Sequence, residues 1–160
     1  MRECPHNKFQ SNGDEDARPC YYQSNLRDGF DTFNKAILDT AAGSTVCGQN
    51  WLNRYENCMR PDLKKKIKAT QCRQPIRFGD GKVLVSTVKK TLPVVIGGTE
   101  TTIDTFVLSN DVPLLLSVHA MKQLNVKIDT VNDRISILGK EENLTTTKCG
   151  HIVVDIYKFW

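Results

Sequence analysis

From Phe33 onward, short apolar runs are separated at close intervals by turn residues, and this rhythm favours an all-β domain. Ala36 to Leu38 reads as a buried strand. Trp51 to Cys58 and Asp62 to Lys68 have helical or loop character. Gln74 to Phe78 is extended and meets the turn Gly79-Asp80-Gly81. Val83 to Val88 and Leu92 to Ile96 read as strands, Gly97-Gly98 as a tight turn, and Thr101 to Leu108 as the returning strand. Asp-Gly and Gly-Gly have hairpin-turn chemistry because Gly tolerates positive φ, so two successive hairpins are the economical reading. Val112 to Ser117 is too apolar for an exposed strand and leads into a helix of about two turns from Val118 to Asn125. Val126 to Asp129, the turn Asn132-Asp133 and Arg134 to Leu138 make a further hairpin. Ile152, Val154 and Ile156 alternate as a last strand would.

The 160 residues suffice for one domain with a real core and some length left for tails. Residues 1 to about 30 are polar, without sustained periodicity, and read as a tail or linker; the domain is expected over 31–160. Charged residues make up 25% and hydrophobic ones 39%. No apolar run approaches a membrane-spanning length, and no basic-then-apolar signal segment follows Met1. The expectation is a soluble, unexported chain, intracellular and cytoplasmic, without a membrane partner. The net charge of +4 is mild, with its clearest concentrations at Lys64-Lys65-Lys66 and Lys89-Lys90. These read as solvated faces rather than a nucleic-acid surface, which would carry a stronger basic bias with interleaved aromatics.

Six cysteines, at 4, 20, 47, 58, 72 and 149, are spaced widely and irregularly, and free thiols are expected. Cys4 with His6 and Cys149 with His151 are the candidate zinc ligands. No Cys-x-x-Cys pair exists, so neither a structural zinc site within the chain nor any other cofactor is expected. Trp51 and Leu52 read as core, His119 as a surface helix residue and His151 as part of a strand start.

The stretch Lys35 to Gly48, KAILDTAAGSTVCG, runs an apolar strand into an acid and a series of small residues. A strand followed by a turn accounts for it in one way, since Asp, Gly and Ser are ordinary turn residues. A catalytic Asp39 accounts for it in another. The order ILDTAAGSTVCG, RFGDGKV and VPLLLSVHAMKQLNVKID resembles the retroviral-type aspartic proteases, the retropepsins, and in particular the protease segments of retrotransposon polyproteins. The resemblance covers roughly residues 31 to 140. It implies an all-β, retropepsin-like barrel with one short helix, forming half of a symmetric homodimer. MRECPH resembles the closing end of a retroviral-type zinc knuckle of which only Cys4 would remain; on that resemblance the chain was cut from a longer polyprotein and the knuckle does not function here.

Peptide hydrolysis without a metal or covalent intermediate needs one carboxylate to deprotonate water and a second carboxyl to protonate the carbonyl oxygen. Two such groups held close share a proton and titrate as a unit. Asp104 and Asp129 also precede Thr, but each continues into a bulky residue, Phe106 or Val131, and reads as a strand or turn position. The second Asp39 is therefore expected from a second copy of the chain on a two-fold axis. The resemblance further implies that Thr40 bonds across the dimer beneath the carboxylates and that Ala41 and Ala42 floor the cleft. Phe78, Gly79, Asp80 and Gly81 would form a flap over a polypeptide substrate, the chain's own polyprotein. Leu115, Leu116 and Ser117 would pack behind the catalytic loop.

Ala41 departs from the Gly usual in that motif, and an added Cβ costs most where φ is positive. Ser117 stands where many retropepsins have Gly, a milder departure. Ala41 keeps a second class of function open, a retropepsin-fold dimerisation or peptide-binding module without hydrolysis. A nucleic-acid-binding fragment is a distant third.

Overall fold

The computed structural model describes residues 34–157. The polar tail, Cys4, His6, Cys20 and the knuckle-like MRECPH lie outside the described residues. In chain order the elements are β1 (Lys35–Leu38), β2 (Val46–Gly48), α1 (Gln49–Cys58), α2 (Pro61–Lys64), β3 (Lys68–Arg77), β4 (Val83–Ile96) and β5 (Thr99–Leu108). They continue with β6 (Leu114–Leu116), α3 (Val118–Gln123), β7 (Lys127–Asp129), β8 (Arg134–Ile137), β9 (Lys140–Asn143), β10 (Thr145–Thr146) and β11 (Ile152–Asp155). The protein is mostly β. The segment of helical or loop character after β2 is a ten-residue helix, α1, so helix content exceeds the one short helix that the resemblance implies.

One eight-stranded sheet has the order β10-β11-β1-β6-β2-β5-β4-β3, and a second sheet has the order β7-β8-β9. β1 lies inside the larger sheet, antiparallel to β11 and parallel to β6, with Ala36, Ile37 and Leu38 beside Leu114, Leu115 and Leu116. A strand covered on both faces needs no polar alternation, which is why both segments read as continuous apolar runs. The period of two is still present across the sheet. Ala36, Leu38, Leu114, Leu116 and Val154 face one cluster with Trp51, Leu52 and Tyr55 of α1 and Ile135 and Ile137 of β8. Ile37, Leu115 and Val153 face the other, with Val46, Ile76 and Val112.

The Tyr55 ring stacks on Trp51 at 5.0 Å. Its hydroxyl donates to the Pro93 carbonyl at 2.9 Å, so the helix brings its polar atom into the core already paired. Gly48 closes β2 against the β5–β6 connection. A Cβ there would sit 2.1 Å from the Asn110 carbonyl oxygen, so this close approach admits only Gly.

β4 runs unbroken for 14 residues and serves both hairpins, pairing with β3 along one edge and β5 along the other. Lys89, Lys90 and Thr91, polar enough to suggest a break, pair on both sides. Between Gln71 and Gln74 the β3–β4 register shifts, an irregularity of the kind that bends and twists a hairpin. Beyond it, Ile76, Phe78 and Leu84 lie against the second cluster. The outer half of this hairpin thus folds over the sheet face that carries Ile37.

Candidate active site

β1 ends where the Asp39 N–H donates to the Leu116 carbonyl at 3.0 Å, the last link to β6. The chain then reverses: the Ala42 N–H donates to the Asp39 carbonyl at 3.1 Å, and the Ala41 N–H donates to Asp39 Oδ1 at 2.9 Å. Asp supplies both the turn and the side-chain acceptor that holds it. Farther along, the Val118 N–H donates to the Ala42 carbonyl at 3.4 Å. Thr45 Oγ1 accepts from the Ser117 N–H at 3.1 Å, and the two hydroxyls lie 3.0 Å apart. Ser117 Oγ also accepts from the Ala120 N–H at 3.3 Å, capping α3. Thr45 and Ser117 are buried, at 6% and 2% exposure, so these bonds are shielded from water. The loop 39–45 is fastened to β6 and α3 at both ends and its middle.

Ala41 is exposed, and positive φ among described non-Gly residues occurs at Asn125, Asp133 and Leu138. Ala41 is not one of them. Its methyl group therefore sits on ordinary backbone, and the strain that would attend Ala in place of Gly is absent.

Across from this loop, the β3–β4 turn is held by bonds within itself. The Phe78 N–H donates to the Lys82 carbonyl and the Gly81 N–H to the Phe78 carbonyl, each at 2.9 Å. Asp80 Oδ1 accepts from the Lys82 N–H at 2.9 Å, and Gly81 takes φ +83°. A Cβ added at Gly79 or Gly81 would meet nothing within 4 Å, so the tip is sterically open.

Between loop and hairpin lies a cleft of about 760 Å³. Its lining includes Asp39, Thr40, Ala41 and Ala42 of the loop, Phe78 and Gly79 of the hairpin, and Ile37 and Leu115 of the sheet. Asp80 and Gly81 form the exposed tip and do not line it. Among the described residues, Asp39 is the one carboxylate in the lining, and Arg77 and His151 are its other ionisable members. Neither reads as a cleft residue in the sequence: Arg77 opens the RFGDGKV stretch but takes no role there, and His151, a zinc candidate or strand start by sequence, reaches the cleft only through the pairing of β11 with β1.

The other Asp-Thr pairs lie elsewhere. Asp104 is exposed on β5, accepting from Thr91 Oγ1 at 2.6 Å with Lys89 at 3.6 Å. Asp129 ends β7, and its carboxyl is held below the usual range first by the Asn132 side-chain amide and then by the backbone N–H groups of Asn132 and Val131. The Cys47 thiol, fully buried in β2, is pushed up to about 12 chiefly by desolvation, so it is no nucleophile near neutral pH. Among the described residues no three or more His, Cys, Asp or Glu gather as a metal site, and no helix is long and apolar enough to cross a membrane.

No protein-family model and no curated protein matches the chain. Among solved structures it is similar to the retroviral protease-like domain of Ddi1 from Leishmania major, at 12% identity over 73% of this chain and 78% of that one, with a TM-score of 0.39. At that level of similarity the candidate site stands on its own geometry.

Proposed function

We propose that the protein is an aspartic endopeptidase of the retropepsin type, active as a homodimer, which processes the retrotransposon polyprotein of which it is part. The observation that carries this reading is the placement of Asp39, on a loop fastened to β6 and α3, in a cleft that the Phe78-Gly79 end of a hairpin overhangs. Acid-base hydrolysis of an amide needs two carboxyl groups, and among the described residues the cleft of one chain holds one. The second is Asp39 of a second copy.

In the shared site one carboxylate removes a proton from water as the oxygen attacks the peptide carbonyl, and the other, protonated, gives its proton to the carbonyl oxygen. Collapse of the tetrahedral intermediate passes a proton to the leaving amine and returns the pair to its single shared proton. The cleft suits an extended peptide, whose side chains meet Ile37, Ile76 and Leu115. The self-contained turn at 78–82 is the element free to open and close, as a flap must.

The test is cleavage of a precursor extended on both sides of this chain, at mildly acidic pH, with and without Asp39→Asn. Cuts that vanish in the variant, with dimerisation retained, support the protease. A folded dimer that makes no cuts would instead be a peptide-binding module.

A further inference from the structure

His151 is anchored by its backbone and unpaired at its side chain. Its N–H donates to Thr147 Oγ1 at 3.1 Å, and its carbonyl accepts from the Thr147 N–H at 2.9 Å. Among the described residues, its Nε2 is the buried side-chain nitrogen or oxygen atom without a hydrogen-bond partner. Buried polar groups are nearly always paired, so an orphan in a cleft wall calls for a partner from outside the chain.

The strand register says where that partner would lie. Lys35, Ala36 and Ile37 stand opposite Asp155, Val154 and Val153. The pairing itself ends at Ile37 and Val153; extrapolated by two residues, its register would set Asp39 opposite His151. Directly opposed residues share a face. Ile37 and Val153 do so in one cluster, and Asp39 and His151, two positions beyond them in that register, line the cleft together with Ile37. Both line the cleft, yet among the described residues no ion pair or hydrogen bond joins them.

We infer that His151 is a specificity-determining residue, hydrogen-bonding a neutral polar side chain, a carboxamide or hydroxyl, that the substrate carries beside the scissile bond. This rests on the protease reading above. A carboxylate at that place would meet Asp39 on the same face, and an apolar side chain would leave the imidazole nitrogen unpaired. A carboxamide or hydroxyl can donate or accept, and so can pair with an imidazole nitrogen whether or not that nitrogen carries a proton. Because Nε2 is buried, the ring turns about its own torsions to reach the peptide while the anchored backbone stays in place; such rotamer changes are common on binding.

The probe is a matched set of octapeptides with the central amide reduced to a methyleneamine, carrying Gln or Leu on either side of that bond. Binding is measured by calorimetry to the wild-type dimer, His151→Leu and His151→Gln, with thermal melting as a check on folding. The expected result is a preference of about tenfold for Gln at one of the two positions, lost in His151→Leu and largely kept in His151→Gln. The ring nitrogens of His151 in the wild type should shift with the Gln peptide and not with the Leu peptide, a readout that needs no variant. Equal binding of both peptides, or a preference that survives in folded His151→Leu, overturns the inference. Failure of every peptide to bind the wild type overturns it together with the protease reading. A Gln preference in a protein that leaves the ordinary amide uncut removes hydrolysis alone and upholds the contact.

Discussion

Asp39 and Asp129 are each followed by Thr, each leave a β-strand, and each accept a backbone N–H from two residues on, at 2.9 Å from Ala41 and 3.0 Å from Val131. Their surroundings differ in every other respect. Asp129 closes an edge strand with an exposed face, and its two oxygens also take the Asn132 backbone N–H at 3.0 Å and the Asn132 side-chain amide at 2.8 Å. Its carboxylate is satisfied locally and kept ionised. Asp39 leaves a strand covered on both faces, is tied through its N–H to Leu116, and opens into a cleft. The same dipeptide makes a solvated turn in one place and presents an acid in the other; the sheet position decides which.

The sharpest way to break this comparison is to neutralise each Asp in turn. Asp39→Asn should lower turnover by at least about 10²-fold, the scale of a lost acid-base group. Asp129→Asn and Asp104→Asn should leave it within about twofold. Comparable losses at Asp129 would mean that the cleft is not the site of chemistry.

The next effect is on stability. Thr45→Val removes the acceptor for the buried Ser117 N–H and should cost about 1–3 kcal/mol in denaturant unfolding. Thr130→Val, exposed in the other Asp-Thr turn, should change stability by less than about 0.5 kcal/mol. Equal effects would deny that the loop after Asp39 is the fastened one.

The smallest effect is on titration. Asn132→Ala removes the first contributor to the depressed Asp129 pKa, so that carboxyl should move up toward its ordinary value, read by carboxyl-carbon NMR. The sign follows from the depression. The folded state gains from an ionised Asp129 above the ordinary carboxylate pKa and loses that gain as pH falls through the lowered one. The variant should narrow this acidic window, and an unmoved titration would contradict the assignment.

Much of the sheet was legible in sequence because apolar runs and Gly-containing turns mark it directly. Ala36 to Leu38 and Leu114 to Leu116 announced themselves as covered strands. β9, KEEN, and β10, TT, did not: their residues are all exposed, and only backbone pairing makes them strands. The break read into β4 between Val88 and Leu92 was likewise a matter of side-chain polarity, which pairing on both edges overrides. At the site, Asp39 and the small residues after it could be read from KAILDTAAGSTVCG. The resemblance puts Ser117 behind the loop, but its partner Thr45, 72 residues away, and the cleft position of His151 could not be read, because long-range register places them and nothing local signals it.

The central claim is that each active site takes one Asp39 from each of two chains. On the proposed reading, wild-type and Asp39→Asn chains, unfolded together and refolded at constant total concentration, should form mixed dimers in statistical proportion. With equal amounts of the two, activity should fall to roughly a quarter of the all-wild-type value, because only dimers with both carboxylates work. A fall to roughly a half, linear in the wild-type fraction across the series, would mean that each chain acts on its own carboxylate and would contradict the shared site.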